Sequence, residues 1–221
     1  LSIPQKMLYN SKKAAESRFF GPGPSTRAAA GASDKARRIL GNAFPRTGQV
    51  NVLYKNIIFD LGGVVVDFDP REFLVDHFMN ERVEDQLYDI TFGSEEWLQM
   101  DAGLLTREEG DRIMREKGAA LRRSFEVGVI LDDWYDMLRT KDDTVQLIKR
   151  LKKRGYGVFY LSNISWDVLE MLQQRKFWQL FDGGVASCEV KLTKPDLRIY
   201  HALLAKYGLS AAESIFIDDN T

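Results

Sequence analysis

The chain has too few cysteines and histidines for disulfides or a zinc site. Among its 221 residues, Cys188 is the only cysteine, so no intrachain disulfide can form. A reducing compartment, and hence a cytoplasmic location, is the expectation. His77 and His201 are the only histidines, which leaves too few ligands for the four-coordinate sites that hold structural zinc. No apolar run reaches the roughly 20 residues of a membrane helix, so we expect no membrane partner.

The sequence also lacks the basic character that is typical of nucleic-acid-binding proteins. The formal net charge is −1 at pH 7. Residues 1–50 carry nine Lys or Arg and only two Asp or Glu, whereas the rest of the chain is acidic overall. An acidic body is repelled by the phosphate backbone, so we expect no nucleic-acid partner. The hydrophobic share of 44% is ordinary for a globular protein.

Residues 1–53 differ in composition from the rest of the chain. They contain the breaker cluster Gly-Pro-Gly-Pro-Ser at 21–25, followed by a stretch of small residues, and show no apolar helical face. We interpret them as a flexible or non-native N-terminal tail, since the chain starts with Leu1 rather than Met. Their Arg-, Ser- and Ala-rich, acid-poor composition also resembles an organellar transit peptide.

From Tyr54 onward, short apolar strands alternate with helices. Strands are predicted after Lys55 and over 156–161, 184–187 and 214–217, with helical patterns between them. This alternation predicts an α/β fold with a Rossmann-like parallel sheet. Apolar residues on a 3–4 spacing predict helices over 72–78, 83–90 and 107–124. The predicted domains are therefore a catalytic core over 54–70 and 141–221 and an inserted helical cap over 71–140.

Polar residues follow the predicted strands or the helices beside them. Asp60 ends the first strand, Ser162 and Asn163 end the second, and Asp218 and Asp219 end the last; Lys194 lies in a loop before a helix. In a parallel sheet these residues gather at one edge. Clustered carboxylates need a cation between them, and an oxygen-only ligand set favours Mg²⁺. A lysine beside a hydroxyl suits a phosphoryl group, and an aspartate can attack phosphorus. The pattern predicts magnesium-assisted phosphoryl transfer.

Four motifs in these segments occur in the order of a known family. They read Phe-Asp-Leu-Gly-Gly-Val-Val-Val-Asp at 59–67, Leu-Ser-Asn at 161–163, Lys-Pro-Asp at 194–196 and Phe-Ile-Asp-Asp-Asn at 216–220. Together they resemble the haloacid dehalogenase (HAD) superfamily over residues 54–221. The long gap between the first two motifs resembles its C1-capped branch, and the Asp-Leu-Gly-Gly motif resembles the sugar-phosphate (alpha-glucose-1-phosphate-type) phosphatases.

The resemblance implies a nucleophile and a set of metal ligands. Asp60 would be the nucleophile and a Mg²⁺ ligand, and the backbone carbonyl of Gly62 would be a second ligand. Asp218 would bind Mg²⁺ directly, and Asp219 would bind it directly or through water.

The resemblance also implies residues that bind the phosphoryl group. Ser162 would bind its oxygens, assisted by the backbone of Asn163. Lys194 would neutralise the charge that develops on an aspartyl-phosphate.

The first motif departs from the family pattern at Gly62. Most phosphatases of the family have a general acid/base aspartate at this position, two residues after the nucleophile. Asp67 is a candidate replacement, or it caps a turn. Trp97 and Asp101 flank a loop at Gly103 that faces the substrate; alternatively, Trp97 is a packing residue and Asp101 is an acid close to a helix. The family's final helix and strand are absent after Thr221, so the C-terminal end is expected to be truncated.

Three functions are compatible with these residues. The first is a Mg²⁺-dependent phosphatase acting on a small phosphorylated metabolite, for which a sugar phosphate is one candidate. The second is a dehalogenase, which also uses an aspartate nucleophile but needs no Mg²⁺. The third is a binding scaffold with little turnover, because the acid at position 62 is absent. The substrate and the oligomeric state are not specified by the sequence.

Overall fold

The computed structural model describes residues 54–219, so the predicted tail over 1–53 and the last two residues lie outside the described part. Within that part, four parallel strands form one sheet in the order β3-β2-β1-β4. The strands are β1 (Asn56–Phe59), β2 (Gly157–Ser162), β3 (Gly183–Ala186) and β4 (Ser214–Ile217). The predicted α/β fold with a parallel sheet is confirmed.

Helices fill the connections between the strands. They are α1 (Pro70–Phe78), α2 (Glu81–Ile90), α3 (Glu95–Asp101), α4 (Arg107–Ala120), α5 (Ser124–Asp133), α6 (Asp142–Lys153), α7 (Trp166–Gln173), α8 (Ser187–Val190) and α9 (Leu197–Tyr207). Short 3-10 turns follow over Trp134–Met137, Trp178–Leu180 and Ala211–Glu213. No helix of residues 54–219 is long and apolar enough to cross a membrane.

Both faces of the sheet are buried, as is usual for parallel sheets. Successive residues of β1 point to opposite faces: Ile57 and Phe59 belong to the larger hydrophobic cluster, and Ile58 belongs to a second cluster. Ile199 and Leu203 of α9 pack in that second cluster. Complete burial of side chains of this size contributes about 1.5–3 kcal/mol each, so the sheet is a firm base for the residues at its edge.

The helices between β1 and α6 differ in detail from the predicted ones. The predicted helix over 107–124 ends at Ala120, and α3 and α5 were not predicted as helices. The break occurs because Arg122 adopts a left-handed conformation, with φ of 58°, which a helix cannot continue through. Trp97 packs edge-on against Trp134, with ring centroids 4.8 Å apart, and both rings belong to the larger hydrophobic cluster.

Candidate active site

The carboxylates meet where the strand order reverses. Chain connections leave β1 toward β2 on one side, whereas β4 lies on the other side, and such switch points open a crevice beyond the strand ends. Asp60 directly follows β1, and its backbone N–H donates to the carbonyl of Ile217 at 2.8 Å. Asp218 and Asp219 directly follow β4. Ligand oxygens of Asp60, Asp218 and Asp219 lie within 4.8 Å of one another.

Asp60 lies at the centre of this group and is buried, with 5% of its surface exposed. One carboxylate oxygen, Oδ1, accepts from the N–H of Leu61 at 2.7 Å. Burial raises the pKa of Asp60 to about 6, and the neighbouring Asp218 adds to that rise. Lys194 and the hydrogen-bonding Ser162 hydroxyl oppose it. Asp60 is therefore mostly ionised at neutral pH.

Lys194 bridges two of the carboxylates. Its Nζ lies 2.6 Å from Oδ2 of Asp60 and 2.7 Å from Oδ2 of Asp218. These two charges raise the pKa of the buried lysine despite the opposing effect of burial. The ammonium group is thus held charged beside Asp60, where it can balance negative charge on a ligand.

Asn163 fixes the backbone of Lys194 through a pair of hydrogen bonds. Its Nδ2 donates to the Lys194 carbonyl at 3.0 Å, and its Oδ1 accepts from the Lys194 N–H at 2.7 Å. The family resemblance implied phosphoryl binding by the Asn163 backbone only, and the positioning role of its side chain was not predicted.

Ser162 is the last residue of β2 and is buried. Its hydroxyl group forms a hydrogen bond with the Asp60 carboxylate. Ser162 therefore lies at the same edge of the sheet as Asp60, as the parallel sheet predicted.

The two glycines of the first motif have different steric surroundings. A Cβ on Gly63 would lie 2.0 Å from Oδ2 of Asp219, and Gly63 has a φ of +68°. A Cβ on Gly62 would lie 3.6 Å from the Phe68 side chain, which is ordinary contact. Gly63 is therefore required for the close approach of Asp219, whereas a Cβ atom fits at Gly62.

A cavity of about 50 Å³ lies beside Gly62 and Asn163. Most of its walls are apolar: Val66, Phe68, Trp97, Trp134, Leu138, Ile164, Val168 and Leu172. Asp101 supplies the carboxyl group in this wall. Trp97 packs in the larger hydrophobic cluster and also lines this cavity, and Asp101 lines it beside Trp97.

Asp67 does not lie in this wall. Its carboxylate pairs with Lys141 at 3.0 Å and is half exposed, which agrees with a structural role. The nearby Asp69 accepts from the backbone N–H of Glu72 at 2.9 Å and caps α1.

The donor set at the switch point fits a hard divalent cation. Three carboxylates within 4.8 Å of one another offer oxygen ligands only, the kind that Mg²⁺ prefers. An α/β enzyme with a carboxylate-rich site at the end of a parallel sheet is the class of protein that this geometry describes.

Comparison with known proteins identifies the family within that class. Residues 54–221 match the family model described as haloacid dehalogenase-like hydrolase. The chain belongs to this family and is a hydrolase.

Individual relatives include a phosphatase. A sesquiterpene phosphatase of Aspergillus oryzae is 29% identical over 168 residues, which covers 75% of this chain and 81% of the relative. A drimenol cyclase of Aspergillus calidoustus is 25% identical over 170 residues, which covers 76% of this chain but only 31% of that longer relative.

Among solved structures, a HAD family enzyme of Bacteroides thetaiotaomicron in complex with magnesium is similar to this chain. The TM-score is 0.60 at 25% identity, over 76% of this chain and 85% of that one. A mutant of the same enzyme, with a TM-score of 0.59, was solved in complex with magnesium and inorganic phosphate.

Proposed function

We propose that this protein is a Mg²⁺-dependent phosphatase that cleaves a small phosphomonoester through an aspartyl-phosphate at Asp60. The observation that carries the proposal is the lysine-bridged group of three carboxylates. Asp60, Asp218 and Asp219, with the carbonyl of Gly62, would hold Mg²⁺, which when bound supplies positive charge to the phosphoryl oxygens. Residues 71–140 would act as the cap that limits access of water.

In the proposed reaction, the Asp60 carboxylate attacks phosphorus while the bond to the ester oxygen breaks. Lys194 and the Ser162 hydroxyl are placed beside Asp60, where they can stabilise charge on the phosphoryl oxygens in the transition state. Asn163 keeps Lys194 in place. Water then attacks phosphorus, which releases inorganic phosphate and restores the Asp60 carboxylate.

The apolar cavity favours an aliphatic alcohol as the leaving group. Its aromatic and aliphatic lining offers few partners for the hydroxyls of a sugar, whereas it can bury methylene groups. The A. oryzae relative is named a sesquiterpene phosphatase, which supports an apolar substrate. The volume of about 50 Å³ holds only the first few atoms next to the phosphate, so a longer chain requires the surrounding helices to open. The sugar phosphate considered from the sequence stays a prediction for the same test.

Asp218 and Asp219 favour phosphatase over dehalogenase chemistry. A haloacid brings its own carboxylate, which two additional carboxylates near Asp60 would repel. A phosphoryl group accompanied by a divalent cation instead balances these charges.

A substrate panel tests the proposal. Phosphate release is measured from a sugar phosphate, a short alkyl phosphate and an isoprenoid monophosphate, with Mg²⁺ or EDTA, for the wild type and Asp60→Asn. We expect release only with both Mg²⁺ and Asp60. Two methylenes buried by the alkyl ester contribute about 1.6 kcal/mol, or roughly tenfold in kcat/KM over the sugar phosphate.

Each outcome of the substrate panel contradicts a different part of the proposal. Equal release in EDTA, or from Asp60→Asn, contradicts the proposed reaction. A preference for the sugar phosphate contradicts only the apolar leaving group. Halide release from haloacids without Mg²⁺, in place of phosphate release, identifies a dehalogenase.

A further inference from the structure

The cavity contains one carboxyl group for which the reaction described above has no role. Asp101 is the last residue of α3, in the predicted cap, yet it shares the cavity wall with Gly62 and Asn163 of the core. Gly62 is two residues from Asp60, and Asn163 is hydrogen-bonded to Lys194, so the cavity wall connects Asp101 to the reacting centre. Within residues 54–219, no side chain donates a hydrogen bond to the Asp101 carboxyl group.

Core residues hold Asp101 in this position through its backbone. The Ser187 hydroxyl donates to the Asp101 carbonyl at 2.5 Å and accepts from the Ile164 N–H at 2.9 Å. Gly103 packs so closely on α8 that a Cβ there would lie 2.4 Å from the Cys188 carbonyl oxygen. The end of α3 is therefore attached to the same loops that carry the phosphoryl-binding motif.

A phosphatase of aliphatic esters needs a proton donor in such a place. An alkoxide is a poor leaving group, so the ester oxygen must be protonated as its bond to phosphorus breaks. Gly62 carries no side chain that could donate, and Asp67 pairs with Lys141 at the surface. We propose that Asp101 is the general acid that protonates the leaving oxygen in this chain. The inference rests on the proposed phosphatase function.

In the proposed reaction, Asp101 donates one proton and later accepts one. As the Asp60–phosphorus bond forms and the bond from phosphorus to the leaving oxygen breaks, the proton moves from the Asp101 carboxyl group to that oxygen. The Asp101 carboxylate then accepts a proton from the water that attacks the aspartyl-phosphate. One ester and one water give one alcohol and one phosphate, and Asp101 returns to its protonated form.

The surroundings of Asp101 favour the protonated form that a general acid requires. Burial raises the pKa of Asp101 to about 7, and the carboxylates of Asp167 and Asp60 act in the same direction. Arg107 and Lys194 oppose this rise. The Cys188 thiol also faces the group and has a pKa raised to about 12 by burial, so it stays neutral. Asp101 therefore titrates within the pH range in which the reaction can be measured.

Asp101→Asn tests the inference through the leaving group. The rate of phosphoryl transfer is measured in single turnovers with enzyme in excess, for an alkyl phosphate and for para-nitrophenyl phosphate, whose phenolate leaves without a proton. We expect a loss of about 100-fold or more for the alkyl ester, and a loss at least ten times smaller for the aryl ester. The wild-type rate on the alkyl ester should fall as the pH rises through the pKa of Asp101, because the carboxyl group loses the proton that it donates. The rate of Asp101→Asn should not show this decrease.

Asp111→Asn is the matched control. Asp111 lies 3.6 Å from Arg107 but does not line the cavity. The rates of Asp111→Asn on the two esters are therefore expected to change by the same factor. Equal losses on both esters in Asp101→Asn, or no loss on the alkyl ester, would overturn the role of Asp101. A wild type that cleaves neither ester would overturn the phosphatase function itself, and the inference with it.

Discussion

Lys194→Met is expected to lower kcat for phosphomonoesters by about 10³-fold. The methionine side chain fills similar space but removes the ammonium group that lies 2.6 Å from Asp60 and 2.7 Å from Asp218. Lys194 is the main group that lowers the pKa of Asp60 against the effect of burial. Without it, the pKa of Asp60 rises, and developing charge on the phosphoryl group loses its cationic partner.

Lys194→Met also has a consequence for stability. Removing one member of a buried ion pair typically costs about 3–5 kcal/mol, so the free energy of unfolding should fall by about 3 kcal/mol in EDTA. Mg²⁺ should recover part of that loss, because it supplies positive charge to the same carboxylates. Urea denaturation with and without Mg²⁺ measures the effect, with Lys191→Met as the control at an exposed lysine. Activity within tenfold of the wild type would contradict the assigned role of Lys194.

Gly63→Ala is expected to weaken Mg²⁺ binding by about 100-fold, the upper end of the range for disturbed metal sites. The added Cβ would lie 2.0 Å from Oδ2 of Asp219, so that carboxylate must leave its position. The left-handed φ of +68° adds about 1–2 kcal/mol of backbone strain for an alanine. Isothermal titration calorimetry with Mg²⁺ measures the binding loss, and thermal unfolding measures the strain.

Gly62→Ala is the matched control at the neighbouring glycine. Its Cβ would meet Phe68 at 3.6 Å, and its backbone carbonyl, the predicted Mg²⁺ ligand, is retained. Mg²⁺ affinity should therefore stay within a few-fold of the wild type. Equal losses of Mg²⁺ affinity in the two variants would show that the contact between Gly63 and Asp219 is not the cause.

The arrangement of Asp60, Asp218 and Asp219 was predictable from the sequence. Each carboxylate follows a short apolar run, and the alternation of strands and helices predicts a parallel sheet whose strand ends meet. The register bears this out, since Phe59 pairs with Ile217 directly before the carboxylates. The catalytic and metal-binding roles of these residues stay predictions until the variants are measured.

Features that depend on contacts between distant segments were not predictable. Asn163 and Lys194 are 31 residues apart, and Ser187 and Asp101 are 86 apart. No local sequence pattern indicates that these residues are in contact, because each residue type is also common at its position for local reasons such as capping a helix or forming a loop. Asp101 was named from the sequence beside a loop with two possible roles, but its helix of only seven residues is too short for a hydrophobic period to predict, so its place in the cavity wall was not predictable.

The most direct test of the proposed function is to trap the intermediate on Asp60. Wild-type protein is mixed with Mg²⁺ and a short alkyl phosphate, quenched in acid within one turnover, digested and analysed by mass spectrometry. We predict one added phosphoryl group on the peptide that contains Asp60, absent in EDTA and in Asp60→Asn. Phosphate release without any phosphorylated Asp60 peptide, or the same modification in Asp60→Asn, would contradict a reaction through an aspartyl-phosphate at this residue.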